Sequence, residues 1–342
     1  MLAYQLTEWN KWPSLREVDA PVAGPGEVVV AVAASGICHS DLHVMSGPPR
    51  RWDLPFTLGH ETTGWVSELG QGVRGLSVGD PVAIYGCWGC GTCRNCTTTA
   101  ENMCITKHES APAGGGLGYN GGMAELMLVP DPRWLVPALG LDLVQAAPLL
   151  DAALTPYHAI MRALPLLRPG SRTVLYGAGG LGHLAIQILR ALTATEIVVV
   201  DRAQSKLDHA RELGVNETYL FEDVDSLVSS IGRRSVDVVF DTVGSDDTVL
   251  VSSRVVRPGG HICLIGRAGS LEVAFRKVTA EISVISTFWG TRNELAEVLD
   301  LARHGALTAA VEQFALADIA AAYERLEHGE MRGRGVMVPG LG

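Results

Sequence analysis

The sequence has little of what export, membrane insertion or nucleic-acid binding requires. Its first residues contain no basic stretch followed by an apolar one, so we expect no secretory signal. The sequence contains no run of about 18 apolar residues, so we expect no transmembrane helix. Acidic residues outnumber basic ones by 37 to 27, and the formal net charge is −10. Because an acidic chain is poorly suited to nucleic acid or an anionic membrane surface, we expect a cytoplasmic protein with neither partner.

Repeats and low-complexity tracts are also missing, whereas residues that form cores and turns are plentiful. Hydrophobic residues make up 47% and charged residues 19% of the 342 residues, which excludes disorder as the main state. At about 150 residues per domain, this length predicts two domains. The 39 glycines are an excess that indicates turns and close backbone approaches, as in glycine-rich nucleotide loops.

The two parts of the chain have different patterns. Up to about residue 150, short apolar runs such as 28–32 and 82–85 alternate with turns, which predicts a β-rich body. Farther on, four short apolar runs alternate with helical periodicity, which predicts an α/β domain with a parallel, doubly wound sheet. Those runs are 173–176, 197–200, 236–240 and 261–265, and the first predicted helix has apolar residues at Leu181, Leu184, Ala185, Ile188, Leu189 and Leu192.

The hexapeptide GAGGLG at 177–182 has the spacing of a dinucleotide-binding loop. It follows a predicted strand and opens a periodic helix, and Asp201 lies 19 residues after Gly182 at the end of the next strand. Gly177 permits the tight turn, Gly179 the approach of a pyrophosphate, and Gly182 the packing of helix on strand. Asp201 would bind the ribose and favour NAD over NADP, a preference that Arg202 softens. The predicted loop contacts are Gly177, Gly179, Gly180, Leu181 and Gly182. The alternative is a glycine-rich turn of an ordinary α/β domain.

Five of the seven cysteines are clustered between Cys87 and Cys104. Cytosolic cysteines stay reduced, so such a cluster indicates a metal site before a disulfide framework. Four of them have the spacing C-x2-C-x2-C-x7-C, which is typical of a structural zinc site. A bacterial iron–sulfur run would need its fourth cysteine after three residues and then a proline. The predicted ligands are Cys90, Cys93, Cys96 and Cys104, and Cys87 stays an alternative for one of them.

Together, seven motifs resemble the zinc-dependent medium-chain alcohol dehydrogenases. They lie in the family's order along nearly the whole chain: GICHSDLH, TLGHE, YGCWGCGTCRNC with Cys104, DAALTPYHAI, YGAGGLGH, FWGTRNEL and RGRGVMVP. The similarity is greatest to the bacterial secondary alcohol dehydrogenases and the aryl-ketone or phenylacetaldehyde reductases. It implies a GroES-like β-rich catalytic domain at 1–150 with 287–342, and a Rossmann NAD-binding domain at 151–286.

The resemblance also implies a catalytic zinc held by Cys38, His60 and Asp151. Asp151 stands where relatives usually have a cysteine, but a carboxylate is an acceptable zinc ligand. The alternative for Asp151 is to cap a helix before Ala152. Glu61 resembles the family's outer-shell or transient ligand, and Asp41 resembles the carboxylate that orients the histidine ligand.

A proton relay and further cofactor contacts are implied in the same way. Ser40 resembles the hydroxyl that takes the substrate proton, and His43 the end of the relay, although a surface histidine is the alternative. His39 resembles a pyrophosphate contact and Arg334 a phosphate-binding arginine. Lys206 resembles an adenosine-ribose contact, with a solvated helix lysine as the alternative.

Four bulky apolar residues match or adjoin pocket positions of relatives: Trp52, Leu117, Phe288 and Trp289. As pocket residues they predict an apolar, partly aromatic pocket for hydrophobic ketones and secondary alcohols. The alternative for each is core packing. No role is assigned to Cys87 or Cys263.

The predicted activity is NAD-dependent hydride transfer between secondary alcohols and ketones, with aryl aldehydes as a further substrate class. The expected cofactors are NAD(H) and two zinc ions per chain, one catalytic and one structural. The expected assembly is a homodimer or homotetramer. A primary-alcohol or polyol dehydrogenase is the alternative within the family. The alternative outside enzymes is a zinc-stabilised NAD-binding structural or regulatory protein, which would lack a catalytic metal.

Overall fold

The computed structural model describes residues 1–107, 111–266, 269–272 and 278–341. They form two compact units, Met1–Asp151 with Thr291–Gly342 and Ala152–Gly290. The strands are β1 (Leu2–Leu6), β2 (Ser14–Glu17), β3 (Val28–Gly36), β4 (Phe56–Thr57), β5 (Glu61–Leu69), β6 (Pro81–Ile84), β7 (Gly114–Gly115), β8 (Gly118–Tyr119), β9 (Leu126–Val129), β10 (Leu135–Pro137), β11 (Arg172–Tyr176), β12 (Glu196–Asp201), β13 (Glu217–Leu220), β14 (Val236–Asp241), β15 (Val256–Leu264), β16 (Ser283–Ser286), β17 (Val311–Ala315) and β18 (Arg334–Val338). The helices are α1 (His39–Met45), α2 (Leu143–Ala146), α3 (Leu154–Ala163), α4 (Gly182–Leu192), α5 (Gln204–Glu212), α6 (Val224–Ile231), α7 (Asp246–Val255), α8 (Arg292–Arg303) and α9 (Ile319–Glu327).

The first unit is rich in β-structure, as the sequence predicts. Its main sheet has the order β10-β6-β5-β3-β18-β17, and β9 also pairs with β3. The long strand β3 is almost entirely buried because its valines and alanines are covered on both faces. β18 comes from the end of the chain and pairs with β3, so the C-terminal segment completes this sheet.

Strand register brings the predicted metal-binding segments together. In the antiparallel pair β3–β5, Gly36 at the end of β3 lies opposite Glu61 at the start of β5. Cys38, which follows β3, and His60, which precedes β5, therefore lie at the same end of this strand pair. A short 3₁₀ helix, Ala147–Leu150, is buried in this unit and leads directly to Asp151.

The second unit contains the parallel, doubly wound sheet that the sequence predicts. Six parallel strands have the order β13-β12-β11-β14-β15-β16, with their valines and isoleucines in its core. Helix α4 follows the glycine loop and buries the apolar stripe that its periodicity predicts, at Leu184, Ala185, Ile188 and Leu189. Asp201 is the last residue of β12.

The structure excludes the alternative role of Asp151 and corrects the bounds of one predicted strand. Asp151 does not cap a helix before Ala152, because α3 begins at Leu154 with Ala153 as its N-cap. The run at 261–265 is only the end of a strand, because β15 begins at Val256. Within the described part of the chain, every helix falls short of the length and apolar character that crossing a membrane requires.

Candidate metal centres and dinucleotide site

Cys38, His60 and Asp151 converge in the first unit. Their donor atoms all lie within 4.8 Å of one another, and all three residues are buried. Asp151 Oδ2 is 3.5 Å from both Cys38 Sγ and His60 Nε2. The structure thus brings together one thiol, one imidazole and one carboxylate that are distant in sequence.

Asp41 positions two members of this group. Cys38 is the N-cap of α1, and its backbone N–H donates to Asp41 Oδ2 at 3.1 Å in a capping box. Asp41 Oδ1 lies 3.1 Å from His60 Nδ1, and both side chains are fully buried. A hydrogen bond at Nδ1 directs Nε2 of His60 to the group.

The electrostatics of the centre favour a cation. Burial lowers the pKa of His60, but the charge of Asp41 and hydrogen bonds with Asp151, Asp41 and Cys38 outweigh burial and raise it well above its ordinary value. Two carboxylates and a thiol thus surround one imidazole in a buried space. A divalent cation would balance this acidic set.

The donor set fits zinc. Zinc–ligand bonds of 2.0–2.3 Å in tetrahedral geometry place ligand atoms about 3.3–3.8 Å apart. Both measured distances to Asp151 Oδ2, 3.5 Å, fall in that range. Three protein ligands leave the fourth position of a tetrahedron for another molecule, as catalytic zinc sites require.

Glu61 lies beside the three donors but engages Arg334. Arg334 Nε and Nη2 donate to the two Glu61 carboxylate oxygens at 2.9 and 2.6 Å, and both side chains are nearly or fully buried. Arg334 Nη2 is also 3.7 Å from Asp151 Oδ2. Burial raises the pKa of Glu61 to about 7, against the lowering effect of Arg334. A Cβ at Gly36 would overlap the Glu61 carboxylate, so glycine there makes room for the pair.

The sequence motifs did not predict this pair. Family resemblance implied a contact of Arg334 with a cofactor phosphate, which stays a prediction, and a place for Glu61 beside the zinc. One feature of the sequence could have indicated the pair: Glu61 stands next to a predicted buried segment, and a buried carboxylate needs a charged partner.

The sulfur atoms of Cys90, Cys93, Cys96 and Cys104 form the second group of converging donors. They lie within 4.8 Å of one another, and the group does not include Cys87, which is buried. Hydrogen bonds from the Thr106 hydroxyl and from backbone N–H groups lower the pKa of Cys90 to about 5. Burial raises the pKa of Cys96 to about 12, so the four cysteines differ in acidity. Four converging sulfur atoms are the donor set of a closed tetrahedral zinc, which binds cysteine as thiolate.

The predicted relay residues lie on α1. Ser40 is half-buried, and its backbone N–H donates to Cys38 Sγ at 3.4 Å. His39 and His43 are exposed on the same helix. Their proposed roles in proton transfer and pyrophosphate binding stay predictions.

The glycine loop of the second unit has the form that its spacing predicts. Gly177 has φ +89°, which favours glycine. A Cβ at Gly182 would overlap Gly177 O, whereas a Cβ at Gly179 would meet only Lys206 Nζ, at 3.9 Å. Gly179 therefore leaves space beside the loop, and Lys206 borders it.

The acidic residue that ends β12, Asp201, is tied to this loop. Asp201 Oδ2 accepts from Ala178 N at 2.8 Å, and Oδ1 accepts from Ala203 N at 2.9 Å. Arg202 turns to solvent, stacks 5.1 Å over the Phe221 ring and approaches Asp247 at 3.5 Å. Asp201 thus supports the loop, and Arg202 has local partners.

Two glycine substitutions should separate stability from cofactor binding. Gly179→Ala should leave the thermal unfolding temperature nearly unchanged but weaken NADH binding at least about tenfold, because its methyl group would enter the space for the pyrophosphate. Gly182→Ala should destabilise the protein by about 1–3 kcal/mol, because its methyl group overlaps Gly177 O. Calorimetry and NADH fluorescence titration check both. Equal effects of the two variants on NADH affinity at unchanged stability would contradict this assignment.

The four predicted pocket residues divide between the units. Trp52 and Leu117 are buried in the first, where Trp52 packs on Phe56 with ring centroids 5.8 Å apart. Phe288 and Trp289 belong to the second, and Phe288 is 40% exposed whereas Trp289 is buried. Phe288 lines a cavity of about 400 Å³ with residues at and after the end of β15. Ligands of doubly wound sheets bind beyond this end of the strands.

Comparisons with known proteins agree over almost the whole chain. The family description "Alcohol dehydrogenase GroES-like domain" matches residues 24–139, and "Zinc-binding dehydrogenase" matches residues 180–304. An alcohol dehydrogenase of Geobacillus stearothermophilus is 33% identical, covering 98% of both chains. A D-arabinose 1-dehydrogenase (NADP(+)) of Saccharolobus solfataricus is also 33% identical, over 98% of this chain and 96% of that one.

Solved structures show the same similarity. The alcohol dehydrogenase of Aeropyrum pernix superposes with a TM-score of 0.91 at 33% identity, covering 99% of this chain and all of that one. Acetophenone reductase from Geotrichum candidum in complex with NAD has a TM-score of 0.86 at 31% identity, covering 98% and 96%.

Proposed function

Because the chain belongs to the zinc-dependent medium-chain alcohol dehydrogenase family, we propose that it interconverts secondary alcohols and ketones with NAD(H). The observation that carries this proposal is the convergence of Cys38, His60 and Asp151 within 4.8 Å. The NAD-bound acetophenone reductase among the similar structures supports a ketone substrate and this cofactor. Aryl aldehydes are proposed as a further substrate class.

We assign the catalytic zinc to Cys38, His60 and Asp151, with Glu61 next to the site. Zinc held there supplies a Lewis acid that polarises a carbonyl or acidifies an alcohol. Ser40, whose N–H contacts Cys38 Sγ, would accept the alcohol proton at its hydroxyl oxygen as it releases its own hydroxyl proton. With NAD bound, that proton would reach His43 through the nicotinamide ribose. His43 is exposed and would pass it to solvent, which suits an imidazole near neutral pH.

We assign NAD to the glycine loop at 177–182, with the ribose at Asp201 and Lys206. NAD supplies the hydride acceptor at its nicotinamide ring. The start of α4 favours the pyrophosphate, because a helix N-terminus carries partial positive charge. Asp201 disfavours the 2′-phosphate of NADP. The adjacent Arg202 is exposed and positively charged, and it softens this preference for NAD. His39 and Arg334 are proposed as further phosphate contacts.

Cys90, Cys93, Cys96 and Cys104 are proposed to hold a structural zinc, which gives two zinc ions per chain. The functional domains are proposed as 1–150 with 287–342 and 151–286, close to the two compact units. Trp52 and Leu117 of the first unit, and Phe288 and Trp289 of the second, are each proposed as apolar pocket residues. A cytoplasmic location and a homodimer or homotetramer stay predictions.

NADH oxidation on a panel of ketones, with and without a chelator, tests the proposal. We expect turnover of aryl and alkyl ketones that falls to background as the catalytic zinc is removed and returns on adding zinc. Full activity after complete removal of metal would contradict the mechanism. One zinc per chain with no turnover on any ketone would support the structural or regulatory alternative.

The reverse assay, which follows reduction of NAD or NADP by an alcohol or sugar, distinguishes the polyol alternative. The D-arabinose 1-dehydrogenase (NADP(+)) among the relatives favours sugars and polyols as the second candidate substrates. D-Arabinose with NADP, ethanol and sorbitol therefore belong in the panel beside 2-alkanols with NAD. Fast turnover of the sugar or polyol with inert 2-alkanols would replace our preferred substrate class.

A further inference from the structure

Asp41 is held by three donors inside the first unit. Its Oδ2 accepts from Cys38 N at 3.1 Å and from the Tyr323 hydroxyl at 2.9 Å, and its Oδ1 lies 3.1 Å from His60 Nδ1. Asp41 and Tyr323 both have 0% exposure. A buried carboxylate is stable as an anion only while such donors replace its water.

Tyr323 reaches this carboxylate from the far end of the sequence. It lies on α9, whereas Asp41 lies on α1, 282 residues earlier. Its ring stacks on Tyr4 at a centroid distance of 6.0 Å with the ring planes 16° apart. Burial and the charge of Asp41 raise the pKa of Tyr323 well above its ordinary value, so the hydroxyl keeps its proton to donate.

We propose that Tyr323 is a positioning residue for the catalytic zinc. The inference rests on the proposed zinc site at Cys38, His60 and Asp151. With Oδ2 engaged by Cys38 N and Tyr323, Asp41 presents Oδ1 to His60 Nδ1–H. This bond fixes the tautomer in which the Nε2 lone pair is available to the metal.

Loss of the Tyr323 hydroxyl should therefore act on metal binding through Asp41. Oδ2 would keep one donor instead of two, and a buried anion with fewer donors can turn away from His60. The ring of Tyr323 and its stacking on Tyr4 would remain in Tyr323→Phe. Outer-shell changes of this kind typically cost about 10- to 100-fold in metal affinity.

Tyr4→Phe is the matched control. Tyr4 is also buried and forms the other half of the same stacked ring pair, but its hydroxyl has no hydrogen-bond partner among the residues that the structure describes. Both variants remove one hydroxyl from one aromatic stack, and only one of these hydroxyls contacts Asp41.

The experiment follows zinc transfer from the full-length zinc-loaded protein to a chromophoric chelator, without substrate. Asp151→Asn identifies which release phase belongs to the catalytic site. In Tyr323→Phe, the zinc released in that phase should be bound about 10- to 100-fold more weakly than in wild type. The other release phase and the thermal unfolding temperature should stay near wild type. Excess zinc should restore kcat, and Tyr4→Phe should match wild type throughout.

Wild-type zinc retention in Tyr323→Phe would overturn the positioning role and leave the proposed function standing. Equal acceleration of both phases, or the same effect in Tyr4→Phe, would assign the hydroxyl to general stability and also overturn it. A wild-type protein that binds no zinc at Cys38, His60 and Asp151 would overturn both proposals.

Discussion

Replacing Asp151 with asparagine is expected to lower kcat/KM for ketone reduction by about a thousandfold. The amide removes the negative charge of the proposed ligand, whose Oδ2 lies 3.5 Å from both Cys38 Sγ and His60 Nε2. A Lewis-acid metal contributes several kcal/mol to the transition state, and about 4 kcal/mol corresponds to this factor. Steady-state kinetics and zinc analysis should show the loss of activity together with about one zinc per chain.

Asp142→Asn makes the same chemical change a few residues earlier. Asp142 is exposed and caps α2 by accepting from Val144 N and Gln145 N, and asparagine caps helices as well as aspartate does. This variant should keep wild-type kcat/KM and zinc content. An Asp151→Asn enzyme that also kept both would show that Asp151 is not a ligand.

Arg334→Met is expected to lower the free energy of unfolding by about 3–5 kcal/mol, because it leaves the Glu61 carboxylate buried without its cation. The guanidinium now donates to both Glu61 oxygens, and Glu61 has no exposed surface. Denaturant unfolding of the zinc-loaded protein measures the change. The double variant with Glu61→Gln should lie closer to wild type than Arg334→Met, because it removes both charges.

Arg325→Met is the control for this prediction. Arg325 pairs with Glu312 at 2.8 Å in the same unit, but both side chains are partly exposed. Such a pair contributes about 0–1 kcal/mol, so its loss should be small. If the two arginine variants unfold at the same denaturant concentration, burial does not govern the Glu61–Arg334 pair.

Local patterns in the sequence predicted the helices and strands whose formation depends on residues close together in the chain. The apolar period after GAGGLG predicted α4, and the buried strands of the doubly wound sheet lie where short valine-rich runs predicted them. Cys38, His60 and Asp151 were grouped by family resemblance, and the structure brings their donor atoms together. Their roles as ligands stay predictions until metal is measured.

Contacts between distant segments were not predictable in the same way. Glu61–Arg334 and Asp41–Tyr323 join residues 273 and 282 positions apart, and no spacing along the chain encodes them. They follow from β18 pairing with β3 and from α9 contacting α1. Motifs in the sequence therefore indicated the donors of the proposed centre. They did not indicate that Tyr323 and Arg334 hold the neighbouring carboxylates of Asp41 and Glu61.

The split of the first unit into Met1–Asp151 and Thr291–Gly342 has a consequence during synthesis. A ribosome makes Cys38, His60 and Asp151 well before it makes Tyr323 and Arg334. A nascent chain of 151 residues would hold all three donors while Asp41 and Glu61 still lack these partners. The proposed metal centre therefore gains its contacts with Tyr323 and Arg334 only after the C-terminal segment has emerged.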